Sequence, residues 1–169
     1  MKRLILLALF CAATAQALPE AARNGETGWR QWGSGEMTWL GLSLYRATLW
    51  VAGESLESST TALQLDYRRD IPRARLVQTS LDEMRRLGAD EAQLKRWEAD
   101  LRRVFPDVKE GDSIVGVHYP GRGASFYHQG QVTGEVGDAE FARRFFAIWL
   151  DPASRSPTLR AALLKRPEG

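Results

Sequence analysis

The sequence predicts an α+β domain built around a mostly antiparallel sheet. Three observations carry this: alternating apolar runs early in the chain, a pair of amphipathic helical stretches in the middle, and a hairpin followed by further helical segments. That order lacks the regular strand–helix alternation of a parallel sheet. No internal repeat and no low-complexity linker divides the chain, so a single domain is expected.

The first 17 residues stand apart. Lys2 and Arg3 precede an apolar run from Leu4 to Ala13, which ends at the small-residue site Ala15-Gln16-Ala17; these are the three parts of a secretory signal. The run is shorter than the roughly 20 residues a membrane span requires. Bulky Phe10 before Cys11 argues against a lipoprotein anchor. Cleavage after Ala17 is therefore expected, with the domain over 18–169 working in the periplasm or secreted. The chain carries 23 Lys+Arg against 21 Asp+Glu. Losing Lys2 and Arg3 makes bases and acids equal, which removes the electrostatic case for nucleic-acid binding. Cys11 is the only cysteine and leaves with the signal, so no disulfide is expected. No later stretch is apolar enough for a transmembrane helix, and no stable membrane insertion is expected.

Gly25, Gly28, Gly33, Gly35 and Gly41 punctuate a strand-like stretch rich in tryptophan. Leu42 to Val51 follows as a long strand with Leu42, Leu44, Thr48 and Trp50 on one face and Tyr45, Leu49 and Val51 on the other, so both faces are partly apolar. After a polar turn, Leu63, Leu65 and Tyr67 alternate in a further strand. Leu76, Val77, Ser80, Leu81, Met84 and Leu87 then share a helical stripe that stops at Gly88. Asp90 is an N-cap for a second helix carrying Leu94, Trp97, Leu101 and Val104. Ile114–Tyr119 and Ser125–Gln129 flank the turn Pro120-Gly-Arg-Gly123, and a glycine-rich turn is expected after Gln131 and Val132. A helix from about Asp138 turns Phe141, Phe145, Ile148 and Trp149 inward as core, and Ser156 or Pro157 opens a last short one.

Four segments in this order resemble the bacterial chalcone isomerase-like family of exported proteins. They are Gly41-Leu-Ser-Leu-Tyr-Arg-Ala-Thr-Leu-Trp50, Asp66-Tyr-Arg-Arg-Asp-Ile71, Phe105-Pro-Asp-Val-Lys-Glu-Gly111 and Phe141-Ala-Arg-Arg-Phe-Phe-Ala-Ile-Trp-Leu-Asp-Pro152. The resemblance implies a large antiparallel sheet with helices packed on one face and a ligand cleft between the layers. It also implies where an isomerase would keep its arginine, threonines, tyrosine and asparagine. The arginine position falls near Gly33 and the tyrosine position around Leu87 to Ala89; the only asparagine, Asn24, lies in the N-terminal tail. Chalcone cyclisation depends on donors placed in advance for the phenolate and enolate charge. With those donors absent, no catalytic residue is assigned and no isomerase activity is expected. Tyr45 falls where fatty-acid-binding relatives of the fold place a tyrosine beside an arginine that holds a carboxylate. An apolar or fatty-acid-like ligand is therefore the expected partner.

Tyr45, Arg46, Thr48 and Thr79 are the candidate ligand-binding residues. Arg46 shares its strand face with Leu44, Thr48 and Trp50; it anchors a ligand carboxylate or phosphate, or it pairs structurally with Asp66 or Asp70. Tyr45, Thr48 and Thr79 are also the set an isomerase or lyase would use if it ran the cleft with non-standard residues. A third reading is a partner-binding module whose cleft is filled by its own side chains. A four-residue hairpin turn puts His118 opposite Ser125 and His128 on the other face, so the two histidines do not form a metal site, and no cofactor is expected. Mature protein isolated from cells is expected to begin at Leu18, without a lipid on Cys11, by intact mass. Its melting temperature is expected to be unchanged by strong reductant.

Overall fold

The computed structural model describes residues 17–165; the expected signal segment, apart from Ala17, lies outside the described residues. A short helix α1 (Glu20–Arg23) is followed by β1 (Trp29–Trp39), β2 (Leu42–Ala52) and β3 (Thr60–Tyr67). The helical pair α2 (Arg73–Arg86) and α3 (Glu91–Val104) comes next. Then come β4 (Ser113–Tyr119), β5 (Gly123–His128), β6 (Gln131–Val136), α4 (Ala139–Leu150) and α5 (Pro157–Leu164). The six strands form one sheet in chain order with every neighbouring pair antiparallel, so the fold is α+β as expected.

Side chains alternate across each strand, and the two faces have different covers. Ala47, Leu49 and Val51 of β2 and Leu63 and Leu65 of β3 join the large core formed with α2 to α5. The opposite face carries Trp50, Ala62, Val115, Val117 and Tyr127, and these are buried together with Leu18 and Ala22 from the N-terminal segment. The two partly apolar faces of β2 suit a strand covered on both sides, and the N-terminal segment supplies the second cover.

Local chemistry sets the helix ends. Asp90 accepts from Gln93 N while the Gln93 side chain accepts from Asp90 N, a reciprocal cap at the start of α3. Gly88, at φ 94°, ends α2, with Ala89 N bonding Met84 O at 3.0 Å. Asp138 caps α4 through Glu140 N and Phe141 N and also accepts from Trp97 Nε1 at 2.9 Å, tying α3 to the first turn of α4. Of the helical charge pairs, Glu98–Arg102 has the i,i+4 spacing legible in the sequence, whereas Arg85 and Arg86 pair with Asp82 and Glu83 at i,i+3.

Two expectations need correcting. The hairpin is tighter than a four-residue loop: Tyr119 pairs with Gly123, which sets His118 opposite Ala124 and Val117 opposite Ser125. A one-residue slip flips every side chain on the strand, so His118 and His128 share a face. They stand four ladder positions apart, roughly 13 Å at strand spacing. His118 stacks on Phe146 with centroids 5.0 Å apart, and burial lowers its pKa. His128 Nε2 lies 2.9 Å from Asp112. No cluster of three or more potential metal ligands occurs among the described residues. The second correction is β6, a strand where only a turn was expected. Gln129 and Gly130, both at positive φ, make a two-residue turn into it. Gln in place of Asn hides that turn, and Gly134 breaks the strand's pattern.

Gly33 and Gly35 sit inside β1 because α5 lies directly on them. A Cβ at Gly33 would overlap the backbone carbonyls of Ala162 and Leu163, while one at Gly35 would come 2.9 Å from Leu159 Cδ1. Gly33→Ala is expected to destabilise by roughly 1–3 kcal/mol, the usual cost of overpacking, in chemical denaturation. Gly137→Ala, where nothing lies within 4 Å of the new Cβ, is the matched control and is expected to be close to neutral.

Candidate ligand cleft

Toward one end of the sheet the two layers part and enclose a cleft of about 790 Å³. Its floor is Leu63, Leu65 and Tyr67 on β3, Ile114 and Gly116 on β4, and Phe126 on β5. Leu76, Thr79, Ser80 and Glu83 of α2 and Phe145, Phe146, Ile148 and Trp149 of α4 line it from the helical side. Gly116 matters here because a Cβ would stand 3.2 Å from Phe146 Cζ, so the missing side chain is what seats that ring. Phe126, Phe145 and Trp149 form a column with successive centroids 5.3 Å apart. Such rings bring large apolar surface with defined edge-to-face geometry. The aromatics of α4 are core, as expected, and Phe145, Phe146 and Trp149 also wall the cleft.

The stretches Asp66–Ile71 and Phe105–Gly111 meet beside this cleft. Ile71 and Val108 exchange two backbone hydrogen bonds of 3.0 Å, and Gly111 N bonds Tyr67 O at 2.9 Å. Asp70 accepts from Lys109 Nζ and from Glu110 N, which holds its carboxyl below the ordinary range, the backbone bond being the larger cause.

The candidate residues divide between the two faces. Tyr45 and Thr79 line the cleft, while Arg46 and Thr48 belong to the opposite face of β2, as alternation requires. Arg46 pairs with neither Asp66 nor Asp70. Its guanidinium donates to Ser34 Oγ at 2.7 Å and meets Glu36 Oε1 at 3.4 Å across the β1–β2 ladder, while Asp66 accepts from Gln64 at 3.0 Å. The position near Gly33 has no room for an arginine, because the α5 backbone fills it.

Tyr45 accepts a 3.0 Å hydrogen bond from Trp149 Nε1, and its ring meets Tyr67 edge-on with centroids 5.7 Å apart. Burial pushes the Tyr45 phenol up to about 12; the Trp149 hydrogen bond opposes the shift and the negative charge of Glu83 adds to it. Tyr67 is raised as well, by burial and then by Tyr45. Both phenols are therefore neutral at any ordinary pH. Glu83 is held by Arg86 at 2.7 Å and Arg155 at 2.9 Å. Sequence reading passed over Tyr67, Arg69 and Arg75, all of which line the cleft. The parity of Leu63, Leu65 and Tyr67 was the available signal for the first.

The cleft thus lies between a six-stranded antiparallel sheet and the helices that cover it. The chain belongs to the chalcone isomerase-like family, whose description matches residues 37–165. Among solved structures it is similar in fold to a fatty-acid binding protein of Arabidopsis thaliana, at 12% sequence identity and a TM-score of 0.63, covering 82% of this chain and 88% of that one. Comparison with curated proteins found no match.

The raised phenol predicts a defined pH response. The folded-state pKa of Tyr45 lies above the unfolded value of about 10. Its contribution to stability is therefore complete below about pH 10 and is lost as pH rises toward 12. In ultraviolet titration, the difference between wild type and Tyr45→Phe is expected to show no tyrosinate below about pH 11.

Proposed function

We propose that this protein is an exported, non-catalytic binder of a small apolar or amphipathic molecule held between sheet and helices. The observation that carries the proposal is the cleft itself: about 790 Å³, within the usual range for small-molecule sites, with an aromatic and aliphatic majority in its lining and charged residues such as Arg69, Asp70, Arg75 and Glu83 beside it. The fold likeness to a protein described as fatty-acid binding supports the same ligand class. Export rests on the N-terminal sequence pattern.

The alternative of an isomerase or lyase working through Tyr45, Thr48 and Thr79 has little geometric support. Thr48 is buried on the face away from the cleft, and Tyr45 is neutral and bonded to Trp149. The volume of the cleft likewise speaks against a module filled by its own side chains. Mass spectrometry of organic extracts from protein purified from its own periplasm is expected to find a stoichiometric apolar or amphipathic compound. Purified protein is expected to leave chalcone cyclisation at the buffer rate; acceleration abolished by Tyr45→Phe would establish the enzyme reading instead.

A further inference from the structure

The charged residues along the cleft do not balance. Of the two acids there, Asp70 is taken by Lys109 and Glu83 by Arg86 and Arg155. Arg69 and Arg75 flank the start of α2, line the cleft and are exposed, and neither guanidinium has an ion-pair or hydrogen-bond partner among the described residues.

The same place is unusual for helix chemistry. Basic residues are disfavoured in the first turn of a helix, where the backbone dipole already presents positive charge. α2 nevertheless opens with Arg73 and Arg75 and carries no acid of its own in its first turn; the acceptor at its N-terminus comes from elsewhere, Asp107 taking Arg73 N at 2.7 Å. With Asp107 on that N–H, the two unpartnered guanidiniums, rather than the helix end, are what an incoming anion would meet.

One step further in, Tyr67 is 4% exposed and lines the cleft, yet its hydroxyl has no hydrogen-bond partner among the described residues. That hydroxyl is open to the cleft rather than sealed among side chains, so it is free to donate to whatever enters. Along β3 the cleft-facing residues run from Leu63 and Leu65 to Tyr67, and Arg69 follows just beyond the strand. Polarity thus rises in a single direction, from an apolar interior through a neutral donor to a cation.

We propose that the cleft binds a single-chain amphipath with an anionic head, tail inward. Arg69 and Arg75 hold the head at the rim, and the Tyr67 hydroxyl donates to it. This rests on the ligand-binding reading above and adds the polarity of the ligand and the residues that select it.

The test compares dodecanoate, dodecyl phosphate and methyl dodecanoate in displacing an apolar fluorophore from the mature protein, each below its micelle concentration. Wild type is expected to prefer both anions over the ester by roughly tenfold, the size expected of exposed ion pairs combined with one hydrogen bond to a charged group. Arg69→Gln/Arg75→Gln, at exposed positions, is expected to remove most of that preference, read as the ratio of anion to ester affinity. Tyr67→Phe is expected to weaken the anions alone. Added salt is expected to shrink the wild-type preference. Preference for only one anion would identify the head as carboxylate or phosphate. Equal binding of acid and ester overturns the proposal but leaves the apolar cleft standing. A preference that survives the double substitution overturns it by placing the head elsewhere, with Tyr45 the next donor. If no probe binds, the ligand-binding reading falls and this proposal with it.

Discussion

α4 stands on the sheet through Phe141, Phe145, Phe146 and Trp149, and the rest of the molecule is arranged around that contact. Phe145 touches Phe126 of β5 edge-on, Phe146 closes over Gly116 of β4, and Trp149 reaches Tyr45 of β2. Truncating one such ring typically costs about 3–5 kcal/mol, several times the value of a helix cap. Packing therefore decides where α4 lies, and Asp138 only sets where it begins. Because the same rings face both the core and the cleft, the ligand space is a continuation of the core left unfilled.

That continuity explains the electrostatics. Glu83 on the helical wall is neutralised by Arg86 and Arg155, and burial keeps Tyr45 and Tyr67 neutral. Charge collects along the outer edge, where Glu83 and Asp70 have protein partners and Arg69 and Arg75 have none. An apolar interior with cations at one end is the arrangement the proposed amphipath would meet. It offers little to a reaction that develops negative charge deep in the site.

The correspondence between sequence and structure is uneven for identifiable reasons. Alternation located β2 and β3 and sorted Tyr45 from Arg46 onto opposite faces, since a strand's period is a local property. It failed at the β4–β5 hairpin, where one residue in the turn reversed the facing of His118 against Ser125, and at β6, where Gln129-Gly130 is a weak turn signature. Of the four candidate site residues, Tyr45 and Thr79 line the cleft; Arg46 and Thr48 looked equally suitable because composition does not record which face is hollow.

By itself the sequence determined the α+β class and most element positions, because each follows from spacing or residue identity, and four of its segments carried the resemblance to the family. Only the tertiary structure decided that α5 fills the space at Gly33, that Glu36 rather than Asp66 takes Arg46, and that Tyr67, Arg69 and Arg75 line one cleft. The physical reason is the same each time. Those facts depend on distances between segments far apart in the chain, and packing settles such distances only after every local preference has been met.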